Sequence, residues 1–305
     1  MIFTVTTLFL GILLLTFGAE WFVRGSSSMA ARLGISPLII GITVVAFGTS
    51  APELFVSVKS ALASYPGIAV GNVIGSNIAN IALILGACAV MAPIRISHRV
   101  VERDAPLMVI ITGICFLLLL DRGISRIDAV ILLALFVGYV FFSIKHGGLP
   151  SNTVAKAGGN SAVILVLIVG GLGALLIGAD LLIGSGVKTA RHLGVNETII
   201  GISIIAFGTS IPELATSVMA TAKKESDIAI GNIVGSNVFN IGLVLGGAGA
   251  ICPFTVPDLA RVDVGIMLFI SILLFPLLWT GFRLSRVEGL FLLLFYTGYM
   301  FFLWR

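Results

Sequence analysis

The hydrophobic residues of this chain fall into ten long runs, and that arrangement leaves few folds open. The runs span roughly 3–23, 37–62, 67–92, 105–120, 127–145, 161–183, 196–221, 227–252, 263–281 and 287–304. Runs of about 17–25 apolar residues, wound as helices, match the ~30 Å hydrocarbon core of a bilayer. Backbone in lipid must satisfy its own hydrogen bonds, so such segments are helical. Of the 305 residues, 58% are hydrophobic and only 10% charged, where a soluble domain carries about 25% charged. The expectation is an all-α, polytopic membrane protein of ten transmembrane helices.

Little is left once the runs are removed. The longest polar connection, 146–160, is rich in Gly, Ser and Asn, too short to fold alone, and reads as a flexible cytoplasmic linker. It cannot hold a regulatory domain. The first run has no basic residue before it and no small-residue cleavage pattern after it, so it reads as a retained helix rather than a signal peptide. The net charge of +4 does not point to nucleic acid, because Lys and Arg sit at the ends of the runs. The odd-numbered connections hold eleven of them and the even ones with the C-terminus six, Lys59 lying inside a run. The positive-inside rule then puts both termini outside the cell, in the plasma membrane. Cys88, Cys115 and Cys252 lie in apolar runs with no CxxC spacing, which argues against a disulfide framework or a zinc site.

The chain repeats itself. Shifted by 160 residues, segment 41–86 matches 201–246 without a gap, and 24 of the 46 positions are identical. The match extends upstream, where Gly18-Ala19-Glu20 faces Gly178-Ala179-Asp180 and Leu33-Gly34 faces Leu193-Gly194. Each half holds five runs. Five is odd, so the second half enters the membrane from the opposite side and the halves, 1–145 and 161–305, are inverted copies. Inverted repeats are typical of secondary transporters, whose ion site lies at the repeat interface near the midplane.

Polar residues repeat at that depth. The second and seventh runs carry Gly48-Thr49-Ser50-Ala51-Pro52-Glu53 and Gly208-Thr209-Ser210-Ile211-Pro212-Glu213. A mid-membrane carboxylate costs at least ~2.5–3.5 kcal/mol, so Glu53 and Glu213 are functional candidates facing the interior or a water-filled cavity. Pro52 has no N–H, which strips the carbonyl of Gly48 of its partner and bends the helix. Carbonyls from Ala46 to Thr49, and from Ala206 to Thr209, can then turn toward a ligand. The third and eighth runs carry Gly71-Asn72-Val73-Ile74-Gly75-Ser76-Asn77-Ile78-Ala79-Asn80 and its match, Gly231 to Asn240. Ser76 and Asn80 are four apart and share a helix face, which favours ligation. Asn72 and Asn77 are better suited to interhelical hydrogen bonds. Gly71/Gly75 and Gly231/Gly235 form GxxxG patterns that permit close backbone approach.

Every donor in this inventory is a hard oxygen. His98, His146 and His192 lie in connections. Hard oxygen sites suit Ca²⁺, Mg²⁺ and alkali ions, and several flexible donors favour Ca²⁺ over Mg²⁺. Two carboxylates balance one Ca²⁺ or two Na⁺, so the two ions can compete for one pocket.

The paired motifs, GTS-x-PE followed by GN-x-x-GSN-x-x-N in both halves, resemble the α-repeats of the sodium/calcium exchanger family, in the cation/calcium antiporter superfamily, over nearly the whole chain. The resemblance implies a secondary active antiporter that exchanges Na⁺ for Ca²⁺ by alternating access. It implies a calcium site from Glu53, Glu213 and the carbonyls of Thr49 and Thr209. It implies sodium ligation by the same glutamates with Ser50, Ser76, Ser210, Ser236 and the carbonyls of Ala46 and Ala206, with Asn80 and Asn240 completing the central layer. Some members, including potassium-dependent ones, carry Asp at the position of Asn240. The Asn in this chain lowers the charge of the site and points to potassium-independent exchange. Two carboxylates with flanking serine sites for further sodium point to electrogenic exchange. No cofactor is implied beyond the transported ions, and the chain is expected to work as a monomer in the lipid bilayer.

Two rivals stand beside this reading. A proton/calcium antiporter would use the same glutamates as proton carriers, and a passive cation channel would use charged groups to select ions. An intramembrane hydrolase built on Ser50 or Ser210 would lack a His partner in the runs, so the chain is not expected to be an enzyme.

Overall fold

The protein is seen in a computed structural model that describes residues 2–146, 160–192, 206–256, 259 and 261–303. It is almost entirely helical. In chain order the helices are α1 (Ile2–Leu33), α2 (Pro37–Thr49), α3 (Ala51–Leu62), α4 (Pro66–Met91), α5 (Val100–Asp121), α6 (Arg126–Lys145), α7 (Ser161–His192), α8 (Ala206–Thr209), α9 (Ile211–Ala222), α10 (Ser226–Ile251), α11 (Arg261–Phe282) and α12 (Arg286–Leu303). Among the described residues, eight of these are long and apolar enough to cross a membrane, and the bent pair α2–α3 makes a ninth. The expected seventh run, 196–221, is described only from Ala206, as α8 and α9. The expected linker lies outside the described residues except at its ends, His146 and Asn160.

Three helices outrun the expected boundaries. α1 continues past residue 23 to Leu33, and α7 continues past 183 to His192. Hydropathy marks where a helix meets lipid and carries no signal for a polar extension beyond it. α5 starts at Val100 rather than 105 and includes Asp104, which is 1% exposed. Asp104 accepts from Arg99 Nε at 3.2 Å, and Arg99 Nη2 donates to the carbonyl of Ser143 at 2.7 Å. The pairing of its charge inside the protein is what lets this helix begin so early.

The two halves interlock. α1 and α7 are equivalent in the repeat yet run antiparallel, since Gly18 meets Gly171 while Gly11 meets Gly178. That is the inversion seen directly. A side chain on Gly171 or Gly178 would strike the opposing backbone at 2.6–2.9 Å, so the small residue sets the close approach of the pair. The only strands among the described residues, β1 (Ile94–Arg95), β2 (Gly123–Ile124), β3 (Phe254–Thr255) and β4 (Arg283–Leu284), are two residues long. β1 pairs with β4 and β2 with β3, both antiparallel. An offset of 160 turns one ribbon into the other, so each half ties itself to its copy.

At the centre, α10 packs against α2 and α6, and α4 packs against α3 and α12. Gly231 and Gly235 allow the first of these contacts, for a side chain there would meet the carbonyls of Leu38 and Ile42 at 2.8 and 2.7 Å. The segment that the repeat sets against Gly71 and Gly75, 198–205, lies outside the described residues.

Candidate functional site

α2 and α3 meet at a bend of 45°. Ser50 sits at the break with φ −82° and ψ 6°, and Ser210 occupies the matching break between α8 and α9 with φ −86° and ψ 4°. This bridge conformation is sparsely populated. Pro52 and Pro212 force it, each at the second position of the helix that follows, because neither can donate to the preceding turn. Each break places a glutamate in the first turn of the new helix. Glu53 is 0% exposed and Glu213 1%.

The break is narrower than expected. The carbonyl of Ala46 still accepts from the Ser50 N–H at 3.0 Å, and the Thr49 hydroxyl stands 3.4 Å from the same oxygen. Ala206 opens α8.

Side chains from the two halves cross over. Ser50 Oγ donates to Glu213 Oε1 at 3.2 Å, and Ser210 Oγ donates to Glu53 Oε1 at 3.4 Å. Ser210 Oγ also lies 3.1 Å from Ser76 Oγ. The hydroxyl of Thr49 lies 3.1 Å from Asn232 Oδ1 and 3.5 Å from Ser236 Oγ, and Thr209 donates to Asn72 Oδ1 at 3.1 Å. Asn72 Nδ2 in turn donates to the Glu53 carbonyl at 3.3 Å and to Ser57 Oγ at 3.0 Å. Asn232 does the same for Glu213 at 3.5 Å and Ser217 at 2.9 Å. Each glutamate is thus held at its backbone by its own half and at its carboxylate by the other. Glu53, Glu213, Ser50, Ser210, Ser76, Ser236, Thr49 and Thr209 form one buried cluster.

Asn80 and Asn240 stand one turn beyond Ser76 and Ser236, and both are fully buried. Asn240 Nδ2 donates to Asn77 Oδ1 at 3.1 Å, and Asn77 Nδ2 donates to the carbonyl of Asn237 at 3.3 Å. Several buried oxygens at this centre have no protein partner: Glu53 Oε2, Glu213 Oε2, Asn80 Oδ1 and Asn240 Oδ1. A buried oxygen without a donor costs about 1–3 kcal/mol. The four belong to two residue pairs related by the offset of 160, and such oxygens suit a hard cation; Asn80 Nδ2 beside them is also without a partner. Among the described residues no group of three His, Cys, Asp or Glu side chains gathers, here or elsewhere.

Sequence reasoning missed three features here. The helices widen to π-turns over Ala79–Leu85 and Asn240–Leu245, and over Gly41–Val45 in α2. Such bulges recur at functional sites, and no residue signature announces them. The hydroxyls of Thr49 and Thr209 brace the partner asparagines, whereas only their carbonyls drew notice. Ser57 and Ser217 support Asn72 and Asn232. Both are identical across the repeat, so a search for repeated polar residues one turn beyond each glutamate would have found them.

A family profile described as sodium/calcium exchanger protein matches residues 3–145 and 163–305. The putative antiporter CaxA of Alkalimonas amylolytica is 39% identical over 320 residues, covering 98% of both chains. The sodium/calcium exchanger MaX1 of Methanosarcina acetivorans is 31% identical over 340 residues, covering 96% of both. A solved structure of the sodium-calcium exchanger NCX_Mj, soaked with sodium and calcium, superposes with a TM-score of 0.88 at 32% identity over 98% of each chain.

Proposed function

The chain belongs to the sodium/calcium exchanger family, and from that premise we propose that it exchanges Na⁺ for Ca²⁺ through a single pocket centred on Glu53 and Glu213, by alternating access, electrogenically and without potassium. As a member it is a multi-pass membrane cation/calcium antiporter, not an enzyme, and its transported ions are Na⁺ and Ca²⁺.

The observation that carries the finer reading is the crossed set of contacts, with unpartnered carboxylate and amide oxygens left between the two halves. Ca²⁺ takes six to eight oxygens in flexible geometry. The glutamates, the carbonyls of Thr49 and Thr209, and Asn80 and Asn240 supply such a set. Ser50, Ser76, Ser210 and Ser236, together with the carbonyls of Ala46 and Ala206, supply places for sodium on either side. An occupied pocket is neutral or positive, whereas two empty buried carboxylates are costly to occlude. The loaded pocket therefore crosses readily and the empty one does not, which couples the two fluxes.

Each half, 1–145 and 161–305, brings one glutamate helix and one asparagine helix. One chain completes the pocket, which supports function as a monomer. The excess of Lys and Arg in the odd connections supports a plasma-membrane orientation with both termini outside.

In proteoliposomes, an outward sodium gradient should drive ⁴⁵Ca²⁺ uptake with the proton gradient collapsed and potassium absent. Uptake that follows the proton gradient instead would identify a proton/calcium antiporter. Uptake that stops without potassium would contradict the reading of Asn240. Asn240→Asp should alter cation dependence, because the new carboxylate joins the ion layer. Asn72→Asp should mainly lower the yield of folded protein, because Asn72 is already fully engaged and a carboxylate cannot donate to the Glu53 carbonyl.

A further inference from the structure

Asn80 and Asn240 match each other in the repeat, yet they are not held alike. Asn77 Nδ2 lies 3.3 Å from the carbonyl of Asn237 and 3.7 Å from the sulfur of Met267. A carbonyl and a thioether only accept, so this end of the Asn77 amide is fixed as the nitrogen. Its other end is then the oxygen, and the group that meets it at 3.1 Å is Nδ2 of Asn240. Asn240 Oδ1 is left buried and without a protein partner. The contacts of Asn77 thus decide which end of the Asn240 amide stays free.

The matching set is unfinished. An offset of 160 relates Asn77 to Asn237 and Asn80 to Asn240. Asn237 Nδ2 is engaged by the carbonyl of Ile233, in its own helix, at 2.8 Å. Asn237 therefore also has only its oxygen to offer. That oxygen and both ends of the Asn80 amide are buried without a partner among the described residues. The residue that matches Met267 is Leu107, which has no acceptor. All four asparagines are 1% exposed or less.

An amide accepts at one end and donates at the other, whereas a carboxylate accepts at both. A cation in front of an amide nitrogen is repelled. An ion layer with Asn at both 80 and 240 therefore works only when each amide is turned oxygen-first. Asp at either place would need no such control. We propose that Asn77 and Asn237 are the positioning residues that impose it. Asn77 holds Asn240 with its oxygen free for the ion. Asn237 takes Nδ2 of Asn80 when an ion draws Asn80 Oδ1 to itself. The proposal rests on the reading of Asn80 and Asn240 as ion ligands. Seating Asn80 satisfies two buried groups that are otherwise unpaired, which favours the loaded pocket over the empty one.

The test is equilibrium ⁴⁵Ca²⁺ binding to the purified full chain, with sodium-driven uptake in proteoliposomes and a thermal melt beside it. Asn77→Leu and Asn237→Leu keep the size of the side chain and remove the acceptor. Each should weaken calcium binding several-fold and slow uptake. Rescue should be specific to the pair. Asn240→Asp should restore binding in the Asn77→Leu chain but not in the Asn237→Leu chain, and Asn80→Asp should do the reverse. A merely structural role predicts no rescue by either carboxylate, and a general effect of added charge predicts equal rescue of both. Either result would overturn the proposal, as would unchanged calcium binding in both Leu variants. Where a Leu variant does not fold, Ala takes its place at that position. Calcium binding by the unsubstituted chain that sodium does not displace would overturn the shared-pocket reading, and the proposal with it.

Discussion

Glu53→Gln and Glu213→Gln should each abolish calcium transport and leave a folded protein. Each substitution keeps the shape of the side chain, and the oxygen that accepts from Ser210 or Ser50 can be retained. What changes is charge. One remaining carboxylate leaves bound Ca²⁺ with an uncompensated positive charge at mid-membrane depth. That costs at least ~2.5–3.5 kcal/mol, or on the order of a hundredfold in occupancy. The amide also turns an N–H₂ toward the place of the unpartnered Oε2, which repels a cation. The loss should therefore exceed a hundredfold for either residue. Uptake in proteoliposomes gives the rate, while size-exclusion profile and thermal melt report folding. Near-native calcium flux in either variant would remove that glutamate from the site.

Voltage should bias exchange strongly. The pocket carries two negative charges, so one Ca²⁺ makes it neutral. Ser50 stands on Glu213, Ser210 on Glu53 and Ser76, and Ser236 beside Thr49, and sodium at these serines brings the total above two. The sodium-loaded pocket is then positive, and net positive charge moves with sodium. Each elementary charge crossing 100 mV exchanges about 2.3 kcal/mol with the field. At about 1.4 kcal/mol per tenfold, one net charge per cycle shifts the limiting calcium ratio about fiftyfold per 100 mV. A negative-outside potential set with a potassium ionophore should speed sodium exit and calcium entry. Calcium accumulation that ignores the clamp would mean two sodium ions per calcium, and the flanking serines would have no sodium to hold.

Much of this was legible in the sequence because polar residues are conspicuous inside apolar runs, and here each appears twice. The repeat at 160 residues delivered the inversion, since the number of runs per half is odd, and the antiparallel pairing of α1 with α7 bears it out. Glu53, Pro52 and Ser50 stood out for the cost of having them in lipid. Features whose cause is packing stayed hidden. The π-turns at Ala79–Leu85 and Asn240–Leu245 add one residue to a helical turn and change nothing in composition. The two-residue ribbons are shorter than any strand pattern can reveal. Asp104 falls outside the expected run, 105–120, yet it lies inside α5, paired with Arg99 and Ser143 within the protein. Hydropathy counts charges and cannot see when two of them cancel.

The central claim is that one pocket serves both ions. It is tested most directly by equilibrium ⁴⁵Ca²⁺ binding to the purified protein, titrated with sodium at constant ionic strength. The account predicts about one Ca²⁺ per chain with two carboxylates to balance it. Sodium should displace that calcium completely, with a Hill coefficient above two, and potassium should not. Calcium binding that survives saturating sodium would mean separate sites for the two ions, and would contradict the account.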